Sequence, residues 1–192
     1  MRILALCGSL RSGSFNAAAL RSAAEFCARR AWQFDLAAGL DTLPFFNQDL
    51  EENALPEAPG RLRASVGAAD GLLIATPEYA HGTSGLLKNA LEWLVGGGEI
   101  ARKPVALMSA SPAVTGGNRA QAWLRETLTV MGADVLDQGL EIPMATLKIA
   151  DGRVTDPQTL EAIGVLLETL VEHSSPEEFS AGQWLGRRAS AI

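Results

Sequence analysis

Ser9, Arg11, Ser12, Ser14 and Asn16 crowd the nine-residue stretch GSLRSGSFN, from Gly8 to Asn16. It follows a buried apolar run and leads into an alanine-rich segment, so it joins a strand to the start of a helix. A helix start presents unpaired N–H groups and the positive end of the helix dipole, which suits an anion. Hydrogen bonds to a charged group contribute about 1.5–3 kcal/mol each. The dipole adds about 0.3–1 kcal/mol. Phosphate is the ligand this chemistry favours. Gly8 and Gly13 have the GxxxxG spacing of a nucleoside-triphosphate loop, but Ser14 and Phe15 stand where Lys and Ser or Thr belong. Leu10 occupies the second glycine position of GxGxxG, against a dinucleotide pyrophosphate. A terminal monophosphate fits better. The alternative is a serine-rich helix cap that binds nothing, with Ser14 as the capping residue.

Two further stretches share this character. TPEYAHGTSG, starting at Thr76, follows a buried run that Pro77 must end, since proline has no N–H for the ladder. Residues 78–82 then offer backbone amides, a tyrosine ring and an imidazole, which suit the edge of a planar heterocycle. His81 is read as a polar loop residue. Gly82-Thr83-Ser84-Gly85 approaches the GxSxG of a hydrolase, but Leu86 stands in the last glycine position. The third stretch, SASPAVTGGN from Ser109, reaches Gly116-Gly117 before a helix. Backbone without side chains permits close approach of a flat ligand, and equally a plain flexible connection. The two histidines and two cysteines have no metal-ligand spacing, so no metal site is expected.

Three such loops need a scaffold that brings them together. Residues 3–7, 71–76 and 104–109 are continuous apolar runs, as in strands buried on both faces of a parallel sheet. Residues 32–36 and 135–142 read as two more strands. Helices are expected from the alanine-rich segment to about residue 30, and over 62–69, 84–95, 118–131 and 159–173. Residues 39–60, with Pro44, Pro56 and Pro59, read as a long irregular connection. Strands alternating with helices make βαβ units, hence a doubly wound, five-stranded parallel sheet with ligands at the carboxyl ends of its strands. The expected domain is 1–173, with a polar extension over 174–192.

The chain has 192 residues, 47% hydrophobic and 20% charged, which is the composition of a folded domain. Its net charge of −6 excludes an overall basic nucleic-acid binder. No apolar run approaches the roughly 20 residues of a membrane span. The opening apolar run stops after about five residues, short for a signal peptide. Cys7 and Cys27 have no CxxC spacing, and a reducing cytoplasm is the expected location.

These motifs resemble the NAD(P)H-dependent FMN reductases of the flavodoxin-like superfamily. Gly8, Ser9, Leu10, Arg11, Ser14 and Asn16 match a signature similar to GSLRxxSxN. Pro77-Glu78-Tyr79, Gly85, Leu87-Lys88-Asn89-Ala90 and Trp93-Leu94 match one similar to PEYxxxxPGxLKNAxDWL. Ala80 stands where many members have asparagine, and Ser84 where they have proline. The resemblance implies strand order 2-1-3-4-5, bound FMN, NADH or NADPH as co-substrate, and a homodimer or homotetramer. It implies that Ser9, Arg11, Ser14, the Phe15 backbone and Asn16 hold the FMN phosphate. Pro77, Glu78, Tyr79, Ala80 and His81 would border the isoalloxazine ring, with Ser109, Gly116 and Gly117 along its other side. The implied activity is hydride transfer from NAD(P)H to FMN and on to a flavin, quinone, azo or metal-oxyanion acceptor. No protein acid or base is required. The rival readings are an FMN electron carrier without pyridine-nucleotide turnover and, third, a hydrolase using Ser84.

Overall fold

A computed structural model describes residues 1–174. The first half of the chain holds β1 (Arg2–Cys7), α1 (Phe15–Arg29), β2 (Gln33–Leu36), α2 (Gln48–Asn53), α3 (Glu57–Ala68), β3 (Gly71–Thr76) and α4 (Gly85–Val95). Then come β4 (Pro104–Ala110), α5 (Asn118–Val130), β5 (Asp134–Val135), β6 (Leu140–Ile142) and α6 (Ala145–Lys148). A short hairpin of β7 (Ile149–Ala150) and β8 (Arg153–Val154) leads into α7 (Pro157–Ser174). The main sheet is parallel with order β2-β1-β3-β4-β5, as the resemblance implies, and β6 pairs with the far end of β4.

Alternation along the central strands divides the interior in two. Ile3 and Ala5 of β1, Leu73 and Ala75 of β3, and Ala106 and Met108 of β4 face α1 and α7. Leu4 and Leu6, Leu72 and Ile74, and Val105 and Leu107 face α3, α4 and α5. A strand buried on both faces has no polar positions to give, which is why these runs are continuous. The buried α1 residues in this cluster are Ala18, Ala19, Leu20, Ala23 and Cys27; the small side chains among them let the helix lie close. Burial also pushes the Cys27 thiol up to about 11, so it stays protonated and behaves as a small apolar group.

Three expectations are corrected. The strand expected over 135–142 is two pieces, because between the Val105–Val135 and Met108–Leu140 pairs β4 advances three residues and its neighbour five, so two extra residues leave the ladder; Gln121 Nε2 donates to Leu140 O beside the break at 2.9 Å. The irregular connection over 39–60 contains a 3₁₀ turn at Leu40–Thr42, α2 and the start of α3. Pro56 precedes α3 and Pro59 lies in its first turn, where a missing N–H costs nothing, so these prolines mark a helix start. Asn89 Nδ2 and Trp93 Nε1 of α4 both donate to Pro44 O, at 3.0 and 2.8 Å, tying the connection down. In the gap between β5 and β6, Arg125 of α5 donates through Nη1 to Leu136 O at 2.5 Å. Of the extension placed at 174–192, Ser174 closes α7 and the rest lies outside the described residues.

Asp156 starts α7: its Oδ2 accepts from Thr159 N at 2.9 Å and from Thr159 Oγ1 at 2.6 Å. These bonds hold the carboxyl below its ordinary value. A lowered folded-state pKa means the charged cap stabilises above the unfolded Asp value, about 3.9, and is lost as pH falls through the folded one. Asp156→Asn keeps an acceptor oxygen but removes the charge. It is expected to melt below the wild type at pH 7, with the gap closing as pH falls below the unfolded Asp value of about 3.9. A gap in thermal melts that persists unchanged at pH 2 would contradict this.

Candidate functional site

The loops after β1, β3 and β4 start level because the register pairs Cys7 with Ala75 and Thr76 with Ser109. They enclose a cleft of about 150 Å³. Ser9, Arg11, Ser14, Phe15 and Asn16 line it from the first loop, and Pro77, Glu78 and Tyr79 from the second. Ala110, Ser111 and Pro112 complete it. Sequence reasoning passed over these last three, although the small-residue run SASP that holds them begins the third loop.

In the first loop, Ser14 is the α1 cap, its Oγ accepting from Ala17 N at 3.2 Å. The capping reading therefore holds for Ser14, while its own O–H remains a donor. Asn16 is 3% exposed and engaged with the main chain of β4: Nδ2 donates to Ala110 O at 3.1 Å and Oδ1 accepts from Ala110 N at 2.9 Å. Its amide is thus a strut, and what it presents to a ligand is the backbone N–H. Phe15 and Asn16 open the helix, so their N–H groups have no carbonyl one turn back to bond. The Arg11 guanidinium donates to Gly13 O at 2.7 Å and lies over the Phe15 ring, 5.2 Å from its centroid. Its other N–H groups remain for a ligand.

The second loop is stapled at its base, where Thr76 Oγ1 meets Thr83 Oγ1 at 2.7 Å. Tyr79 and Gly82 exchange backbone hydrogen bonds of 3.0 and 2.9 Å around Ala80 and His81, both in the left-handed region at φ 50° and 64°. These two sit at an exposed tip. The Glu78 carboxylate turns away from the cleft: Oε2 accepts from Arg119 N at 3.1 Å and Ala120 N at 3.3 Å, and Oε1 lies 3.4 Å from His81 Nδ1. Ser84 is buried as the α4 cap, its Oγ accepting from Leu87 N at 3.3 Å, so it is no exposed nucleophile.

In the third loop the Ser109 side chain, which the resemblance sets along the ring, is engaged within the protein. Ser109 does not face the cleft; it is fully buried, donates to Gly116 O at 2.7 Å and accepts from Gln121 Nε2 at 2.8 Å. Gly116 and Gly117 have positive φ, 63° and 95°, and a Cβ there would lie 2.8 Å from Glu141 Cβ and 2.9 Å from Ser109 Cβ. Their lack of side chains answers the protein's own packing, and no exposed ligand wall is needed to explain it. Gln121, which organises this knot, carried no sequence signal, since glutamine is an ordinary helix residue.

Strand order, two helical layers and a cleft at the carboxyl ends of β1, β3 and β4 define a flavodoxin-like protein. The NADPH-dependent FMN reductase profile matches residues 1–146. An NAD(P)H-dependent FMN reductase of Pseudomonas aeruginosa is 35% identical over 175 residues, covering 88% of this chain and 93% of its own. A quinone reductase of Escherichia coli is 30% identical over 97% of this chain and 96% of its own. The solved flavoenzyme NAD(P)H:(acceptor) oxidoreductase FerB of Paracoccus denitrificans superposes with a TM-score of 0.80 at 30% identity, covering 90% of this chain and 96% of its own. The chain belongs to the NADPH-dependent FMN reductase family. The cleft fits the phosphate of FMN chemically: the Ser9 and Ser14 hydroxyls, the Arg11 guanidinium and helix-start N–H groups line it from the first loop, and the one carboxylate among its lining residues is already bound to α5.

Two outcomes follow. Arg11→Ala is expected to weaken FMN binding roughly 10- to 150-fold, the equivalent of one charged hydrogen bond. Riboflavin, which has no phosphate, should bind almost unchanged. Fluorescence titration of the apoprotein with both ligands checks this, and equal losses would contradict it. Ala80→Gly removes a Cβ from a left-handed position that costs an L-residue about 1–2 kcal/mol. It is expected to raise the unfolding free energy by about 1 kcal/mol in urea titrations; a loss would show that the turn is not strained.

Proposed function

We propose that this chain is an FMN-dependent oxidoreductase that takes hydride from NADH or NADPH and reduces a small acceptor such as a flavin, quinone, azo compound or metal oxyanion. The observation that carries the reading is the cleft itself: anion-binding donors at the start of α1, opposite the Pro77–Tyr79 backbone. Bound FMN supplies the two-electron chemistry. The protein's part is position. Ser9, Ser14, Arg11 and the N–H groups of Phe15 and Asn16 hold the phosphate. The Asn16 strut keeps the α1 start in register with the end of β4. The Pro77–Tyr79 backbone would border the ring, and the exposed rim at Tyr79, Ala80 and His81 would leave room for a second molecule beside it. Tyr79 is 59% exposed there, which leaves an aromatic surface for a planar partner. Near-full-length likeness to reductases supports turnover with pyridine nucleotide over a carrier role.

A homodimer or homotetramer belongs to the same reading. It is supported by the exposed Val95 and Val130, which flank a groove between α4 and α5. A cytoplasmic location is supported by two free thiols. No helix among the described residues is long and apolar enough to cross a membrane.

One open face serves both substrates in turn, so the kinetics should be ping-pong, with parallel double-reciprocal lines. In a stopped-flow instrument, the flavin absorbance should bleach with pyridine nucleotide alone and recover when a quinone is added. A flavin that stays oxidised until acceptor is present would overturn the shared face; one that stays oxidised throughout would favour the carrier.

A further inference from the structure

The first turn of α5 lacks a cap of its own. Gly117 holds the capping position at φ 95° and has no side chain to accept from the turn's N–H groups. Asn118 N finds Thr115 O at 3.2 Å, and Gln121 N finds Gly117 O at 3.2 Å. That leaves Arg119 and Ala120. Both donate to one oxygen, Oε2 of Glu78, from 41 and 42 residues away in sequence. The Glu78 side chain is only 16% exposed, so solvent screens this carboxylate weakly. An anion at a helix N-terminus is also favoured by the dipole.

We infer that Glu78 is a positioning residue: its carboxylate caps α5 across the fold and so sets the distance between the second and third loops. The Glu78 main chain lies between Pro77 and Tyr79 in the cleft wall. Its side chain reaches the turn after Gly117, where a Cβ would lie 3.8 Å from that of Glu78. Gly116, the residue before, is held by Ser109 Oγ at 2.7 Å. Movement at Glu78 therefore displaces both walls together. The same carboxylate occupies the α5 N-terminus, leaving the start of α1 as the helix end available to an external phosphate. The consequence for flavin rests on the proposed function; the cap itself does not.

Amide hydrogen exchange on the apoprotein tests the cap, and titration with FMN and riboflavin tests the consequence. Glu78→Ala is expected to speed exchange at Arg119 and Ala120 while other α5 amides hold. It should weaken FMN and riboflavin binding by the same factor, about 10-fold or more, because the ring-side walls shift and the phosphate loop does not. Glu78→Gln keeps an acceptor oxygen and should recover most of the exchange protection and of both affinities, which loss of a generic packing group would not predict. Unchanged exchange at Arg119 and Ala120 in Glu78→Ala overturns the inference. So does a loss confined to FMN, which would make Glu78 a phosphate-loop residue. A wild-type protein that binds no flavin defeats the proposed function instead, and the exchange data still decide the cap.

Discussion

The Asn16 amide and the Ala110 main chain exchange two hydrogen bonds, and the geometry of the cleft depends on that pair. One partner opens α1, and the other is the last residue of β4, two strands away from β1 in the sheet. Hydrophobic packing could hold α1 on the sheet at many small displacements along its axis. A buried amide cannot slide, since either broken bond would strand a polar group at a cost of about 1–3 kcal/mol. The strut therefore turns a well-packed helix into one with a defined end point, and that end point is where the donors for an anion lie.

Electrostatics then distinguishes two helix ends at the same edge of the sheet. Both α1 and α5 begin beside the cleft, and each presents N–H groups and a positive dipole end. At α5 the protein supplies its own anion in Glu78. At α1 the Ser14 hydroxyl caps a single N–H, and Arg11 adds positive charge with no carboxylate partner among the described residues. A chain with net charge −6 thus keeps one locally cationic pocket by neutralising the other. That arrangement suits a cofactor with one phosphate, as the family's chemistry requires.

The rim is built differently from the pocket. The pocket rests on buried polar ties, whereas the Tyr79–Gly82 turn is exposed and holds two non-glycine residues in left-handed conformation. Its base is stapled by Thr76 and Thr83. The donors for an anion therefore lie on buried ties, and the exposed turn lies at the edge of the cleft on its threonine base.

Much of this was legible in residue order alone. Continuous apolar runs ending at Cys7, Thr76 and Ser109 identified the central strands, because burial on both faces leaves no alternation to confuse them. Strand–helix alternation implied the doubly wound sheet, and the first loop's donors implied a monophosphate. The roles within the loops were not legible. Ser109, Asn16 and Glu78 carry polar groups that suit a ligand, yet each is engaged with Gly116, Ala110 or the first turn of α5. Gln121 has no signal in sequence at all, although it ties Ser109 to Leu140 beside the break in the last strand. A residue type states which hydrogen bonds a side chain can make. Only the tertiary structure decides which partner is within hydrogen-bonding reach, because those partners lie 7 to 94 residues away in sequence.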